Sequence, residues 1–195
     1  MLKLPTTCPL LHPLNRLHMR SRTLAIAFAL VVAAPVPAQS FMAEMHRDVN
    51  EVQRKMLDLA KAMPEASYSW KAGAARTVGE VFLHVASDNY LIPIMMGKPA
   101  PAATGITADY QTAGVYEKRK LTKAQIVAEL EASFTHLHQA MALTTDANVS
   151  ETIKFFGQDW TRMRAMVLTV THLHEHLGQA IAYARANDVV PPWSR

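Results

Sequence analysis

Seven apolar residues, Met42, Met45, Val49, Val52, Met56, Leu59 and Met63, recur at alternating steps of three and four and give out at Pro64. At about 100° per residue that spacing lays them along one stripe of a helix, and a proline forbids its continuation. The pattern predicts a helix from about Ser40 to Met63 with one face that other elements must cover. After a loop containing Tyr68, Trp70 and Gly73, Thr77-Val78-Gly79-Glu80 fits a capping box that opens a second helix. Val81, His84, Asp88, Leu91 and Met95 share one side of it. Gly97, Pro99, Pro101 and Gly105 end that helix and begin a long connection to Lys120. Thr122 with Gln125 is a second capping box, and Ile126, Leu130, Phe134, Leu137 and Met141 form the stripe of a third helix. Residues 144–158 read as a loop. The last helix is predicted to start near Asp159 or Thr161 and to run to about Asn187, ahead of Pro191-Pro192. Four amphipathic helices with no alternating strand pattern predict an all-α fold, a four-helix bundle.

The first 38 residues are of another kind. They hold Lys3, Arg16, Arg20 and Arg22 and no acidic residue, and Arg20 and Arg22 lead into the apolar run from Thr23 to Ala34, followed by Pro35-Val36-Pro37-Ala38. A basic region, a short apolar region and a small-residue cleavage site predict a signal peptide, residues 1–38, cut after Ala38. Met19 offers an alternative start. The apolar run falls short of the roughly 20 residues a bilayer crossing needs, so no membrane anchorage is expected after cleavage. Residues 39–195 are then a single domain, periplasmic or secreted.

Charge follows the same division. The chain has 20 Lys plus Arg against 16 Asp plus Glu, and four of the basic residues lie in the first 38. The remainder balances at 16 of each, which gives no reason to expect a nucleic-acid partner. Cys8, the only cysteine, also lies in the leader. The domain itself offers no disulfide and no thiol nucleophile.

Seven of the nine histidines lie beyond residue 38, three of them in His172-Leu173-His174-Glu175-His176. On a helix His172 and His176 lie within roughly 40° of each other and His174 nearly opposite both, so only the i, i+4 pair can chelate one ion. Leu168, Gln179 and Tyr183 lie on the same side, next to an apolar arc of Met166, Val170, Leu173, Leu177 and Ile181. Hydrogen-bonded or exposed histidines produce the same spacing, so a metal site needs a third ligand from another helix. His84, on the inner stripe of the second helix, is the candidate; its alternative is a core histidine satisfied by a hydrogen bond. His136, facing away from the stripe of the third helix, and His138, on its flank, are expected at the solvated surface. His46 lies beside the stripe of the first helix, and Glu175 points away from the histidine pair.

The segment Thr77-Val78-Gly79-Glu80-Val81-Phe82-Leu83-His84-Val85-Ala86 resembles the second-helix motif of the DinB superfamily, of the DinB/YfiT-like metalloenzyme type. His172 through Gln179, with Tyr183 and Pro191-Pro192, resembles its last-helix motif, and the likeness spans nearly the whole of 39–195. The resemblance implies a four-helix bundle that binds one divalent metal through His84, His172 and His176. Where that family often has Arg-Gly-Gln after the last histidine, this chain has Leu177-Gly178-Gln179, so any role of that arginine is absent.

Three imidazoles suit zinc or nickel first, with manganese or iron also compatible. They would leave a position open for a water to be acidified or for the thiolate of a small thiol, as in the superfamily's thiol transferases. Those thiols are cytosolic, so export favours a metal-dependent hydrolase acting on a small molecule. Asp88, one turn beyond His84, could orient an imidazole or act as general base, or be a solvated acid near the helix end. Gln179 and Tyr183 could bind substrate or the metal's water, or only satisfy each other. A non-enzymatic metal-binding protein and a structural helical domain, the latter open to homodimer formation, are the rival classes.

Overall fold

The structure is a computed structural model that describes residues 40–194; the segment read as an export signal lies outside the described residues. Its elements are α1 (Phe41–Ala62), α2 (Val78–Met95), α3 (Tyr110–Glu117), α4 (Lys123–Met141), a hairpin of β1 (Thr152–Phe155) and β2 (Gln158–Thr161), and α5 (Arg162–Ala186). Short 3₁₀ turns lie at Glu65–Ser69, Ala102–Thr104 and Pro192–Ser194.

Each long helix begins on an oxygen-bearing side chain that satisfies backbone N–H groups otherwise left without partners. Ser40 accepts from Ala43 N at the start of α1. Thr77 and Glu80 at α2, and Thr122 and Gln125 at α4, make both bonds of a capping box, as their sequence signature predicts. Thr161 caps α5 by accepting from Arg164 N. The helix α1 ends at Ala62, two residues before Pro64.

Helix α4 packs against both α2 and α1, and α5 packs against the same two. The bundle order around the core is therefore α1, α4, α2, α5. Met56 and Leu59 of α1, Phe82 of α2 and Leu130, Phe134 and Leu137 of α4 are buried at its centre. Gly79 lets α2 approach closely: a Cβ there would meet Ile126 Cδ1 at 3.1 Å and the Tyr68 carbonyl oxygen at 3.3 Å. Among the described residues no helix is long and apolar enough to cross a membrane.

Two segments differ from the sequence reading. The connection between Gly97 and Lys120 contains α3, whose Asp109 cap accepts from Gln111 N and whose Ala113 and Tyr116 face α2. Eight residues with two buried apolar positions are too few for helical periodicity to register. The supposed loop 144–158 contains β1 and runs into β2, with Ile153 opposite Trp160 and Phe155 opposite Gln158. Its two-residue turn places Phe156 at φ 47° and Gly157 at φ 80°. Such a turn needs two left-handed residues, and the usual signal is Asn-Gly or Asp-Gly; phenylalanine in the first place conceals it.

His136 also departs from expectation. It is buried rather than solvated, 5 % exposed, with its ring 5.2 Å from that of Tyr90. Because α4 touches helices on two sides, its buried arc is wider than the single stripe that the sequence marks out. Burial, with the nearby Lys98 charge, lowers the pKa of this imidazole.

Candidate metal centre

Helices α2 and α5 pack side by side, and this brings His84 to His172 and His176. One ligand-competent nitrogen from each of the three lies within 4.8 Å of the other two. The ring centroids stand 4.4 Å apart for His84 and His176, 4.4 Å for His172 and His176, and 5.3 Å for His84 and His172. Tetrahedral bonds of about 2.0 Å would place such nitrogens about 3.3 Å apart, so an ion needs a modest contraction of side chains and no rearrangement of helices.

Hydrogen bonds decide which ring nitrogens remain to bind it. Glu117 Oε1 lies 2.7 Å from His84 Nδ1, and Gln179 Oε1 lies 3.0 Å from His176 Nδ1. A carboxylate and an amide oxygen can only accept, so both imidazoles carry their proton on Nδ1, and in the neutral ring the Nε2 lone pair is free. His172 differs: its Nε2 bonds Asp88 Oδ2 at 2.6 Å. The same carboxylate oxygen lies 3.4 Å from His84 Nε2. With His84 uncharged, its Nε2 lone pair and this carboxylate oxygen face each other at 3.4 Å, an arrangement that a cation between them would relieve. The donor set fits a divalent ion.

Burial keeps His176 uncharged, and hydrogen bonds fix His84 and His176 in place. Burial pushes the His176 pKa down to about 4, against the hydrogen bond to Gln179, with His172 and His84 adding to the depression. It is therefore an uncharged donor throughout the neutral range. Glu117 is buried, which opposes its ionisation, yet the hydrogen bond and charge interaction with His84 and then with Arg76 outweigh that and hold its carboxyl below the usual range. Arg76 Nε donates to its other oxygen at 3.0 Å, and Ser87 Oγ lies 3.4 Å from Oε1. Behind His176, Gln179 Nε2 donates to Tyr183 Oη at 3.2 Å, and that hydroxyl donates to the Arg76 carbonyl at 3.1 Å. The Asp88 side chain is only 15 % exposed, so it is no solvated acid at a helix end.

The remaining histidines lie elsewhere. His174 is exposed, its Nδ1 2.9 Å from the Val170 carbonyl. His138 bonds Gln53 at 2.7 Å and stacks with His46, ring centroids 6.3 Å apart, on the α1 and α4 side of the bundle. Glu175 is exposed and Leu177 is buried. Gln179 and Tyr183 are committed to the chain behind His176. Glu117 and Arg76 carry no sequence signal of a site, because one closes the short helix α3 and the other precedes the Thr77 cap. The one mark in the sequence is a lone glutamate that closes the short segment Ala113-Gly114-Val115-Tyr116.

The sequence profile of the DinB superfamily matches residues 49–180. Among solved structures, a DinB-like protein from Bacillus cereus ATCC 10987 superposes with a TM-score of 0.64 at 17% identity, covering 79% of this chain and 97% of that one. An uncharacterised protein from Escherichia coli UTI89 does so with a TM-score of 0.59 at 16% identity, covering 76% of this chain and 95% of the other. At these identities the likeness is one of fold. No curated protein matches the sequence significantly.

Proposed function

The chain belongs to the DinB superfamily, and from that premise we propose that it is an exported hydrolase whose one divalent cation is held by His84, His172 and His176. The observation that carries this reading is the placing of Asp88 Oδ2, 2.6 Å from His172 Nε2 and 3.4 Å from His84 Nε2, beside the convergence of three imidazoles. Held there, the cation supplies Lewis acidity, which brings the pKa of a water toward about 7 in zinc examples. The chain's own residues do the rest. His84 and His176 are oriented by Glu117 and Gln179, and Asp88 is the proton acceptor.

Hydrolysis of an ester or amide then balances as follows. The water oxygen bonds the carbonyl carbon, and Asp88 takes the proton that water loses. The bond to the alcohol or amine breaks, and the proton passes to that leaving group. Asp88 ends as it began.

Protein reconstituted with zinc, nickel, manganese or iron should turn over at least one neutral substrate in a panel of esters, amides and phosphate esters, and chelation should abolish the turnover. Turnover only when a thiol is added would favour a transferase, and none with any metal would sink the enzymatic reading. Export is part of the proposal and rests on the leader. Protein recovered from the producing cell should begin near Gln39 outside the cytoplasm; a cytosolic pool that retains residues 20–34 would contradict it.

A further inference from the structure

A small, largely apolar surface cavity of about 150 Å³ is lined by Leu91, Ile92, Phe156 and Leu168 and also by Asp88 and His172, so it adjoins the histidine cluster. Among the described residues no lysine or arginine lines it, and Asp88 is its one acidic group. A charged end on the bound arm would lie against four apolar side chains with no lysine or arginine to pair with, whereas a hydrocarbon arm replaces water there.

The hairpin supplies the outer wall. Phe156 is 46% exposed and sits at φ 47° in the turn, its ring 5.0 Å from that of Phe155. Phe155 in turn is buried and stacks on Trp160 at 4.4 Å. The turn holds a large aromatic in a left-handed conformation where asparagine or glycine is ordinary. Besides its contact with Phe155, the ring lines the cavity.

We propose that this cavity binds an uncharged apolar arm of the substrate, a phenyl group or a straight chain of about four to six carbons, attached to the bond that is cleaved beside Asp88. The inference deepens the hydrolase reading and rests on it for the cleaved bond. The cavity's occupancy does not, since it needs no metal.

Two arms of one experiment separate them. In the metal-free protein, benzyl alcohol should produce saturable NMR shifts at the methyl groups of Leu91, Ile92 and Leu168. Leu168→Trp, which fills the space, should weaken that binding at least about tenfold. Phe156→Asn, which removes the ring while suiting the turn, should weaken it as well and guards against misfolding of the first variant. In the metal-loaded protein, kcat/KM for neutral alkyl esters should rise about fourfold per acyl methylene until the cavity is full, from the roughly 0.8 kcal/mol that each buried methylene contributes. A succinate monoester should lie below the neutral ester of equal length. Absence of saturable binding, or binding unchanged in both variants, overturns the cavity's role whatever the enzyme does. Ester hydrolysis that ignores acyl length overturns it too and leaves the hydrolase reading standing. Saturable binding with no hydrolysis by any metal form supports the cavity and removes the hydrolase.

Discussion

Alanine in place of His84, His172 or His176 should leave a protein that no longer retains a divalent metal, while His174→Ala, within the same five residues, should bind like the parent. The three converge with one nitrogen each inside 4.8 Å, and His174 is exposed on the other side of α5. If the roughly 10–16 kcal/mol of a four-ligand zinc site is shared evenly, one ligand carries about 3 kcal/mol, a factor above about 100 in Kd. The effect is legible in thermal unfolding as well. Metal at about 100 times Kd stabilises the folded state by about 2.7 kcal/mol, worth roughly 5–10 °C in Tm for a domain of this size. The three variants should lose that rise and His174→Ala should keep it. Competition titration with a chromophoric chelator measures the affinities, and a wild-type Kd in His172→Ala would refute the assignment.

Glu117→Gln should reduce metal affinity about 10–100-fold while leaving the metal-free fold nearly intact. Its carboxylate fixes the tautomer and direction of His84 through the 2.7 Å bond to Nδ1, and it is itself held by Arg76. Partners of this kind typically carry that much of a site's affinity. Glutamine keeps the shape but loses the charge, and its amide can present a donor to a nitrogen that is already a donor. The control is the metal-free melting temperature. A large drop there would make Glu117 a fold residue, and affinity unchanged with the fold intact would remove it from the site.

The parts of this molecule that the sequence makes legible are those written in helical periodicity and cap chemistry. The stripe from Met42 to Met63, the two capping boxes and the pairing of His172 with His176 against His174 all follow from 3.6 residues per turn. His84 is legible only in part. Its place on the inner stripe of α2 is a matter of spacing, but its meeting with α5 is a matter of how two helices pack, which one sequence does not encode locally. Glu117 is out of reach for the same reason, compounded by the brevity of α3. His136 shows the opposite error: a single stripe understates the buried arc of a helix with neighbours on two sides. The hairpin eludes pattern reading because Phe156 occupies a position that turn statistics reserve for asparagine or aspartate. Each of these misses lies at or beside the cavity and the histidine cluster, except His136, which packs behind α2 against Tyr90.

Elemental analysis of untagged protein, purified without chelator, tests most directly whether three histidines hold one divalent ion. The expected result is close to one equivalent of a single transition metal per chain in the parent and far below one in His84→Ala, His172→Ala and His176→Ala. A parent protein that carries no metal and takes up none on dialysis against zinc, nickel, manganese or iron would contradict it.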